Sequence, residues 1–154
     1  MTIERLTPKS SLLQTISGWM WSEWGQPNNR KYWEYWIGRS VNDRDIPQTF
    51  AALEGDEIVG TVSLWRCDLQ SCQDISPWLG GLFVLPVHRG RGYAKRLTMH
   101  ACEQAKELGY AKLYLFTELD GFFEKFGWEY LENVPNEYDK MVKLYEKRLR
   151  QDGN

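Results

Sequence analysis

The 154-residue chain has few cysteines, few histidines and almost no net charge. Its three cysteines are Cys67, Cys72 and Cys102, an odd number at irregular spacing, which excludes a disulfide framework. The chain has only two histidines, so the cysteines also lack the partners and the spacing of a zinc site. We therefore predict no metal, and we expect the reducing environment of the cytoplasm.

The charge balance and the apolar runs exclude two classes of partner. Lys and Arg number 19, Asp and Glu number 21, and the net charge is −2. Proteins that bind nucleic acids in general carry a basic excess, so we expect no nucleic-acid partner. No apolar run approaches the roughly 20 residues of a membrane span, and residues 1–5 lack the basic-then-apolar order of a secretion signal. We therefore expect no membrane partner.

The chain does have a continuous pattern of strands and helices, without repeats or linkers, which predicts a single domain over residues 1–154. Apolar and alternating runs predict strands at 2–6, 48–54, 58–65, 77–85, 111–117 and 128–131. Apolar faces predict a first helix that begins at Pro8-Lys9-Ser10 and runs past Met20, and two more helices at 30–39 and 91–108. A short helical turn is predicted at 122–126. The segment 138–149 fits either a strand or a helix.

The order of these elements predicts an α+β fold. Glu54-Gly55-Asp56-Glu57 is a tight-turn sequence between two strands, which indicates an antiparallel hairpin. The strand at 77–85, the helix at 91–108 and the strand at 111–117 form a βαβ unit, so those two strands are expected to be parallel. The sheet is therefore predicted to be mixed.

The turn from Val87 to Ala94 has the most chemical content. Its small residues at 90, 92 and 94 allow several backbone N–H groups to point outward, and the start of a helix adds unpaired donors and a positive dipole end. Arg89 and Arg91 add two positive charges. These features indicate a site for a phosphate or pyrophosphate. The alternative is a tight connection whose arginines are solvated, and the Rossmann and Walker patterns are absent.

Two segments together resemble the GNAT superfamily of N-acetyltransferases. Arg89, Gly92 and Ala94 meet the family signature Arg/Gln-x-x-Gly-x-Gly/Ala, and residues 122–128 are similar to the later Tyr-Glu-Lys-Leu-Gly-Phe motif. The resemblance covers about residues 48–132. Within it, Asp74-Ile75-Ser76-Pro77-Trp78-Leu79-Gly80-Gly81-Leu82 resembles the Pro-Trp-Leu-Ala form of the central strand, which occurs in uncharacterised bacterial members and in the actin N-terminal acetyltransferase.

The resemblance implies a GNAT-like fold, with a mixed, mostly antiparallel sheet, helices on both faces and a splayed pair of parallel strands. It also implies acetyl-CoA as co-substrate, with pantetheine on the open edge of the central strand, the pyrophosphate on the turn, and a main-chain N–H near Leu82 that polarises the thioester carbonyl. The cofactor-binding residues carried over are Leu82, Phe83, Val84, Arg89, Gly90, Arg91, Gly92, Tyr93, Ala94 and Phe123.

Acyl transfer to an amine requires that the protonated amine lose a proton to a side chain or a water chain. The central strand has no acid, which leaves Asp74 just before it, Glu118 after the next strand, and Asp68 as a third candidate. We favour Glu118 slightly, because the end of its strand is expected to face the splayed gap. Each of the three can instead be a solvated loop carboxylate.

The acid that protonates the leaving thiolate is left open. The family often uses a tyrosine at the position that is Phe123 in this chain. Tyr93, Tyr130 or a water could replace it, or the thiolate could leave unassisted, since a free thiol has a pKa of about 8.5. Phe123 can still pack along the cofactor, or it can be a core residue.

An aromatic cluster precedes the first long strands, with Trp19, Trp21, Trp24, Tyr32, Trp33, Tyr35 and Trp36. In the family the first two helices border the acceptor site, so Trp33 and Trp36, together with Trp78 on the central strand, are predicted to bind the acceptor by stacking or cation–π attraction. Several of these rings could instead be core or homodimer contacts.

We therefore expect an acetyl-CoA-dependent N-acetyltransferase that acts on a small-molecule or peptide amine. The alternative is a non-catalytic acyl-CoA-binding regulatory or interaction module, which Phe123 and the missing acid on the central strand keep open. An RNA-binding role for residues 89–92 is disfavoured by the acidic balance of the chain.

Overall fold

Seven strands and three α-helices are present in a computed structural model that describes residues 1–149. The strands are β1 (Thr2–Arg5), β2 (Gln48–Glu54), β3 (Glu57–Trp65), β4 (Trp78–Val84), β5 (Lys112–Thr117), β6 (Glu129–Pro135) and β7 (Met141–Arg148). The helices are α1 (Leu13–Trp24), α2 (Arg30–Gly38) and α3 (Tyr93–Glu107), joined by 3₁₀ turns at Gln70–Cys72, Pro86–His88 and Phe123–Phe126. None of the helices within residues 1–149 combines the length and the apolar character that crossing a bilayer requires.

The strands form one sheet in the order β1-β2-β3-β4-β5-β7-β6. Neighbouring strands are antiparallel except for β4 and β5, which are parallel and connected through α3. This arrangement confirms the predicted α+β class, the antiparallel hairpin of β2 and β3, and the single parallel crossover.

The helices cover both faces of the sheet, as predicted. Along β2, Phe50 and Ala52 pack in the core cluster that includes α3, whereas Ala51 and Leu53 pack in the cluster that includes α1 and α2. Successive side chains of a strand point to opposite faces, so α3 lies on one face and α1 and α2 lie on the other.

The first helix begins at Leu13, later than predicted. The Ser10 N–H donates to the carbonyl of Thr7 over 3.0 Å, and the Ser10 hydroxyl accepts from the Thr7 N–H over 2.9 Å. This local turn satisfies backbone groups that a first helical turn would otherwise use. The predicted start at residues 8–10 was therefore wrong.

The ambiguous segment at 138–149 contains strand β7, which pairs with β5 on one side and with β6 on the other. Its buried side chains include Val142, Leu144 and Tyr145. Strand β6 extends to Pro135, beyond the predicted end at residue 131. Most of β6 is exposed, so its sequence has little of the apolar alternation that would have predicted this length.

Strands β4 and β5 separate soon after they begin. Within residues 1–149 they share one register position, Trp78 opposite Tyr114, beside a hydrogen bond of 3.1 Å from the Tyr114 N–H to the Pro77 carbonyl. On its other side β4 stays paired with β3, where an irregularity leaves Gly81 with a left-handed φ of +60°. The parting of β4 and β5 opens a wedge in the sheet and confirms the predicted splayed pair.

Candidate active site

A cleft of about 1270 Å³ passes through the wedge between β4 and β5. On the face that carries α3 it is lined by Arg89, Gly90, Gly92, Tyr93, Ala94 and Lys95, which we call the turn side. On the face that carries α1 and α2 it is lined by Trp24, Tyr32, Trp33, Trp36, Trp65 and Tyr138, which we call the aromatic side. A molecule in the cleft can therefore contact both faces of the sheet.

The turn side presents an open backbone at the start of α3. Gly90 and Gly92 have left-handed φ values of +82° and +80°, which residues with a side chain rarely adopt. No heavy atom lies within 4 Å of the position that a Cβ would take at either glycine. The helical hydrogen bond from Arg96 N–H to the Gly92 carbonyl leaves the N–H groups before it without a helical acceptor. These donors and the positive dipole end suit an anion.

Arg89 is fixed to the end of β4. Its Nε donates to the Val84 carbonyl over 2.8 Å, and its guanidinium carbon lies 5.6 Å from the centre of the Phe83 ring. The guanidinium thus brings a positive charge to the point where the strand edge meets the turn. Arg91 instead contacts the His88 Nδ1 over 3.4 Å and does not line the cleft.

Nine of the ten predicted cofactor-binding residues line the cleft, namely Leu82, Phe83, Val84, Arg89, Gly90, Gly92, Tyr93, Ala94 and Phe123. The remaining one is Arg91. The Tyr93 hydroxyl donates to Glu54 over 2.6 Å, and this hydrogen bond raises the pKa of Tyr93. The phenol of Tyr93 is therefore engaged outside the cleft.

Asp68 follows β3 and lines the cleft beside Gly80. A Cβ at Gly80 would lie 2.8 Å from the Asp68 Oδ2 and 2.4 Å from the Trp65 ring, so the missing side chain makes room for both. Burial, and to a smaller extent the negative charge of Glu137, raise the pKa of Asp68 to about 7. Asp68 is therefore a carboxyl group that can exchange a proton near neutral pH.

The other two predicted base candidates lie in different surroundings. Glu118 lies at the rim of the cleft, with 59% of its side chain exposed and an ion pair of 2.7 Å to Lys140. Asp74 is exposed and lines a separate cavity of about 430 Å³. The geometry thus favours Asp68 over the preferred Glu118 and over Asp74. Within residues 1–149, no three His, Cys, Asp or Glu side chains are grouped as metal ligands.

The aromatic side contains a connected row of rings. Trp65 lies 5.1 Å from Trp36, Trp36 lies 5.4 Å from Trp33, and Tyr32 lies 5.6 Å from Trp36, measured between ring centres. Trp33 and Trp36, which were predicted to bind the acceptor, both line the cleft. The row joins the neighbourhood of Gly80 to the outer surface of α2.

Trp78 lies outside the cleft, unlike Trp33 and Trp36. Its indole is fully buried, its Nε1 donates to the Ile75 carbonyl over 2.8 Å, and its ring packs near Tyr114 and Phe116. It is a core residue of the second half of the sheet, so we do not carry it into the acceptor site.

Phe123 is buried and lines the cleft, where its ring packs against Trp128 and Tyr145. Tyr130, one of the predicted replacements for a tyrosine there, donates to Asn133 over 2.8 Å and does not line the cleft. Neither Tyr93 nor Tyr130 therefore presents its hydroxyl to the cleft.

The lining residues missed at the sequence level include Trp65, Glu137 and Tyr138. Trp65 looked like one member of an alternating strand, and only the bulge at Gly81 shows that it borders the wedge. Glu137 and Tyr138 belong to the turn between β6 and β7, and a segment that fits either a strand or a helix gives no position for that turn.

The sequence also matches known proteins. The profile of the acetyltransferase (GNAT) family matches residues 13–128. The uncharacterized N-acetyltransferase YjgM of Escherichia coli (strain K12) is 38% identical over 56 residues, which are 33% of this chain and 34% of that protein. The match therefore spans about a third of the length of this curated relative.

Solved structures share the fold at low sequence identity. The crystal structure of an aminoglycoside 6'-N-acetyltransferase complexed with coenzyme A is 17% identical, has a TM-score of 0.78 and covers 100% of both chains. A chain of the NatC complex bound to Gag peptide and CoA is 14% identical, has a TM-score of 0.71, and covers 97% of this chain and 100% of that chain. The profile match includes β4, the turn and α3, and it shows that the chain belongs to the GNAT family of acetyltransferases.

Proposed function

We propose that the chain transfers an acetyl group from acetyl-CoA to a primary amine of a small molecule or peptide. The observation that carries this proposal is that one cleft connects the two faces of the sheet. It runs from the turn side, whose backbone donors suit an anion, to Asp68 and the row of aromatic rings on the other face. Membership of the acetyltransferase family supports the reaction type, and the relative complexed with coenzyme A supports the co-substrate.

The residues of the turn side fit the anionic part of acetyl-CoA. The N–H groups from Gly90 to Ala94 would hold the diphosphate at the positive end of α3, with the charge of Arg89 beside them. The edge of β4 at Leu82–Val84 has no strand partner on the wedge side among residues 1–149, so its backbone groups, apart from the Val84 carbonyl that accepts from Arg89, can pair with the amides of pantetheine. Acetyl-CoA supplies the thioester, and Phe123 shields it from water.

Asp68 is the proposed general base. With a pKa of about 7 it can accept a proton from the ammonium group of the acceptor and later return it to solvent. The neutral nitrogen then attacks the thioester carbonyl carbon, so that a C–N bond forms and the C–S bond breaks. The second amine proton passes to the thiolate, and the products are an amide, the free thiol of CoA and one released proton.

Thiol release with a panel of primary amines tests this function, with rates measured across neutral pH. We expect Asp68→Asn to lower kcat by about 10²-fold or more, because a positioned base contributes that much. The variant should also lose the rise in rate that the wild-type protein shows up to about pH 7. Glu118→Gln, at the ion-paired rim carboxylate, is the matched control and should change kcat little.

Two results would contradict the proposal at different levels. Wild-type kcat and pH dependence in Asp68→Asn would remove Asp68 as the base and leave the function intact. A wild-type protein that neither binds acetyl-CoA nor releases thiol would overturn the function itself.

The phenylalanine at position 123 supports a second candidate, a non-catalytic acyl-CoA-binding regulatory or interaction module. The hydroxyl groups of Tyr93 and Tyr130 are engaged elsewhere, so no replacement phenol from the predicted set serves the thiolate. The same assay separates the two functions. A module would bind acetyl-CoA tightly and release no thiol with any amine in the panel.

A further inference from the structure

The charges that line the cleft are segregated by sign. Among residues 1–149, the lining side chains that can be positive are His88, Arg89 and Lys95, which all belong to the turn side or its approach. The lining carboxyl groups are those of Glu23, Asp68, Glu118 and Glu137. The carboxylate of Glu118 forms an ion pair with Lys140. Of the other three, Glu23 belongs to α1, Asp68 to the loop after β3, and Glu137 to the turn between β6 and β7. The aromatic side is therefore both acidic and rich in rings.

The rings lead outward from the reacting position. Trp65 lies against Gly80, next to Asp68, and the ring centres from Trp65 to Trp36 and from Trp36 to Trp33 are 5.1 and 5.4 Å apart. Tyr32 is half exposed at the outer end of this row. A group that contacts Trp33 or Tyr32 while the reacting nitrogen lies at Asp68 must be several bonds away from that nitrogen.

Glu137 is a further acidic residue of the cleft. It lines the same cleft as Asp68 and Tyr32, and its negative charge contributes to raising the pKa of each. The neighbouring Tyr138 hydroxyl lies 3.5 Å from the Gln26 Nε2, which brings the turn between β6 and β7 against the end of α1. Glu137 thus faces the same space as the outer rings.

A ring face beside a carboxylate attracts a cation, and the attraction strengthens as water is excluded. We propose that the acceptor is an amine with a second cationic centre, whose distal charge lies among Tyr32, Trp33 and Glu137. This inference rests on the proposed function. It adds that the enzyme selects acceptors by a charge remote from the nitrogen that is acetylated.

The test compares 1,5-diaminopentane with 5-amino-1-pentanol, two acceptors of equal length that differ in the distal ammonium group. After correction for the two equivalent ends of the diamine, we expect kcat/KM to favour the diamine by about tenfold or more, the range of a partly desolvated cation–π contact with a nearby carboxylate. Added salt should reduce this preference, because it screens partly exposed charges.

Variants of Glu137 and Tyr32 distinguish the contribution of the carboxylate charge from that of the aromatic ring. Glu137→Gln and Tyr32→Leu should each lower the preference for the diamine by about threefold or more, whereas Tyr32→Phe, which keeps the ring face, should retain it. Glu34→Gln and Tyr35→Leu on the same helix are the matched controls, because neither residue lines the cleft. All these positions except the half-buried Glu34 are exposed, so the variants should fold.

Equal kcat/KM for the two acceptors in the wild-type protein would overturn the inference and leave the proposed function standing. The same holds if Glu137→Gln slows both acceptors equally. If neither acceptor is acetylated, calorimetric titration of each into the CoA-saturated protein makes the same comparison, and equal affinities or no binding of the diamine would overturn the inference. Failure of acetyl-CoA itself to bind would instead contradict the proposed function.

Discussion

Asp68 combines its proposed role as the general base with a cost in stability. Burial disfavours its charged form, so its pKa rises from 3.8 to about 7. Between these two values the folded protein holds a proton that the unfolded chain releases. The free energy of unfolding must therefore fall as pH rises through this window, and the loss is complete above about pH 7.

Asp68→Asn should therefore raise the free energy of unfolding while it lowers the rate. The gain over the wild-type protein should grow between about pH 4 and pH 7 and then stay constant, reaching about 1–4 kcal/mol at pH 8. Urea denaturation at a series of pH values measures it. A difference between the two proteins that does not change with pH would contradict the assigned pKa.

Individual residues of the site were predictable in different degrees. The residues of the turn side follow from a local motif, since backbone donors at a helix start need only small residues and the correct spacing. Asp68 was only one of three carboxylates, because the desolvation that raises its pKa depends on tertiary packing beside Gly80. Trp33 and Trp78 are equally aromatic in the sequence, and only packing separates the cleft residue from the core residue.

Strand β4 is the element on which the site depends. It pairs with β3 along most of its length and parts from β5, so one of its edges remains available for a ligand. The irregularity near Gly81 and the absence of a side chain at Gly80 let the Trp65 ring lie flat against the strand. The Trp65 Nε1 donates to the Ser40 hydroxyl over 3.1 Å, which fixes the ring in place.

A side chain at Gly80 should therefore disturb both the fold and Asp68, the proposed base. In Gly80→Ala the new Cβ would lie 2.4 Å from Trp65 and 2.8 Å from Asp68, and we expect a loss of about 1–3 kcal/mol in the free energy of unfolding together with a lower kcat. Gly38→Ala in α2 is the control, since nothing lies within 4 Å of its Cβ position, and it should be neutral or slightly stabilising. Equal stability of the two variants, measured by urea denaturation, would contradict the close packing at Gly80.

Elements with a complete local pattern were predicted well. Helix α3 and strands β2, β3 and β5 have regular apolar spacing, and their bounds match to within a few residues. The start of α1 was wrong because the turn at Thr7–Ser10 competes with the helix. Strands β6 and β7 were uncertain because pairing between them, rather than burial, determines the length of β6.

The molecule as a whole places two kinds of chemistry on opposite faces of one sheet. Helix α3 brings backbone donors and basic side chains to one face, and α1, α2 and the turn between β6 and β7 bring rings and carboxylates to the other. The parallel crossover was predictable from the strand–helix–strand order, and so was the glycine turn before α3. The convergence of α1, α2, the end of β3 and the turn between β6 and β7 on the aromatic side was not predictable, because no local signal connects residues that lie far apart in the chain.

The central claim is that the turn before α3 and the open edge of β4 hold acetyl-CoA, and calorimetric titration of acetyl-CoA tests it most directly. We expect wild-type binding that Arg89→Ala weakens by about tenfold, because a charge-assisted contact to phosphate is lost. Arg91→Ala removes the same charge two residues away but outside the cleft, and it should weaken binding by no more than about twofold. No binding to the wild-type protein, or equal losses in the two arginine variants, would contradict the account.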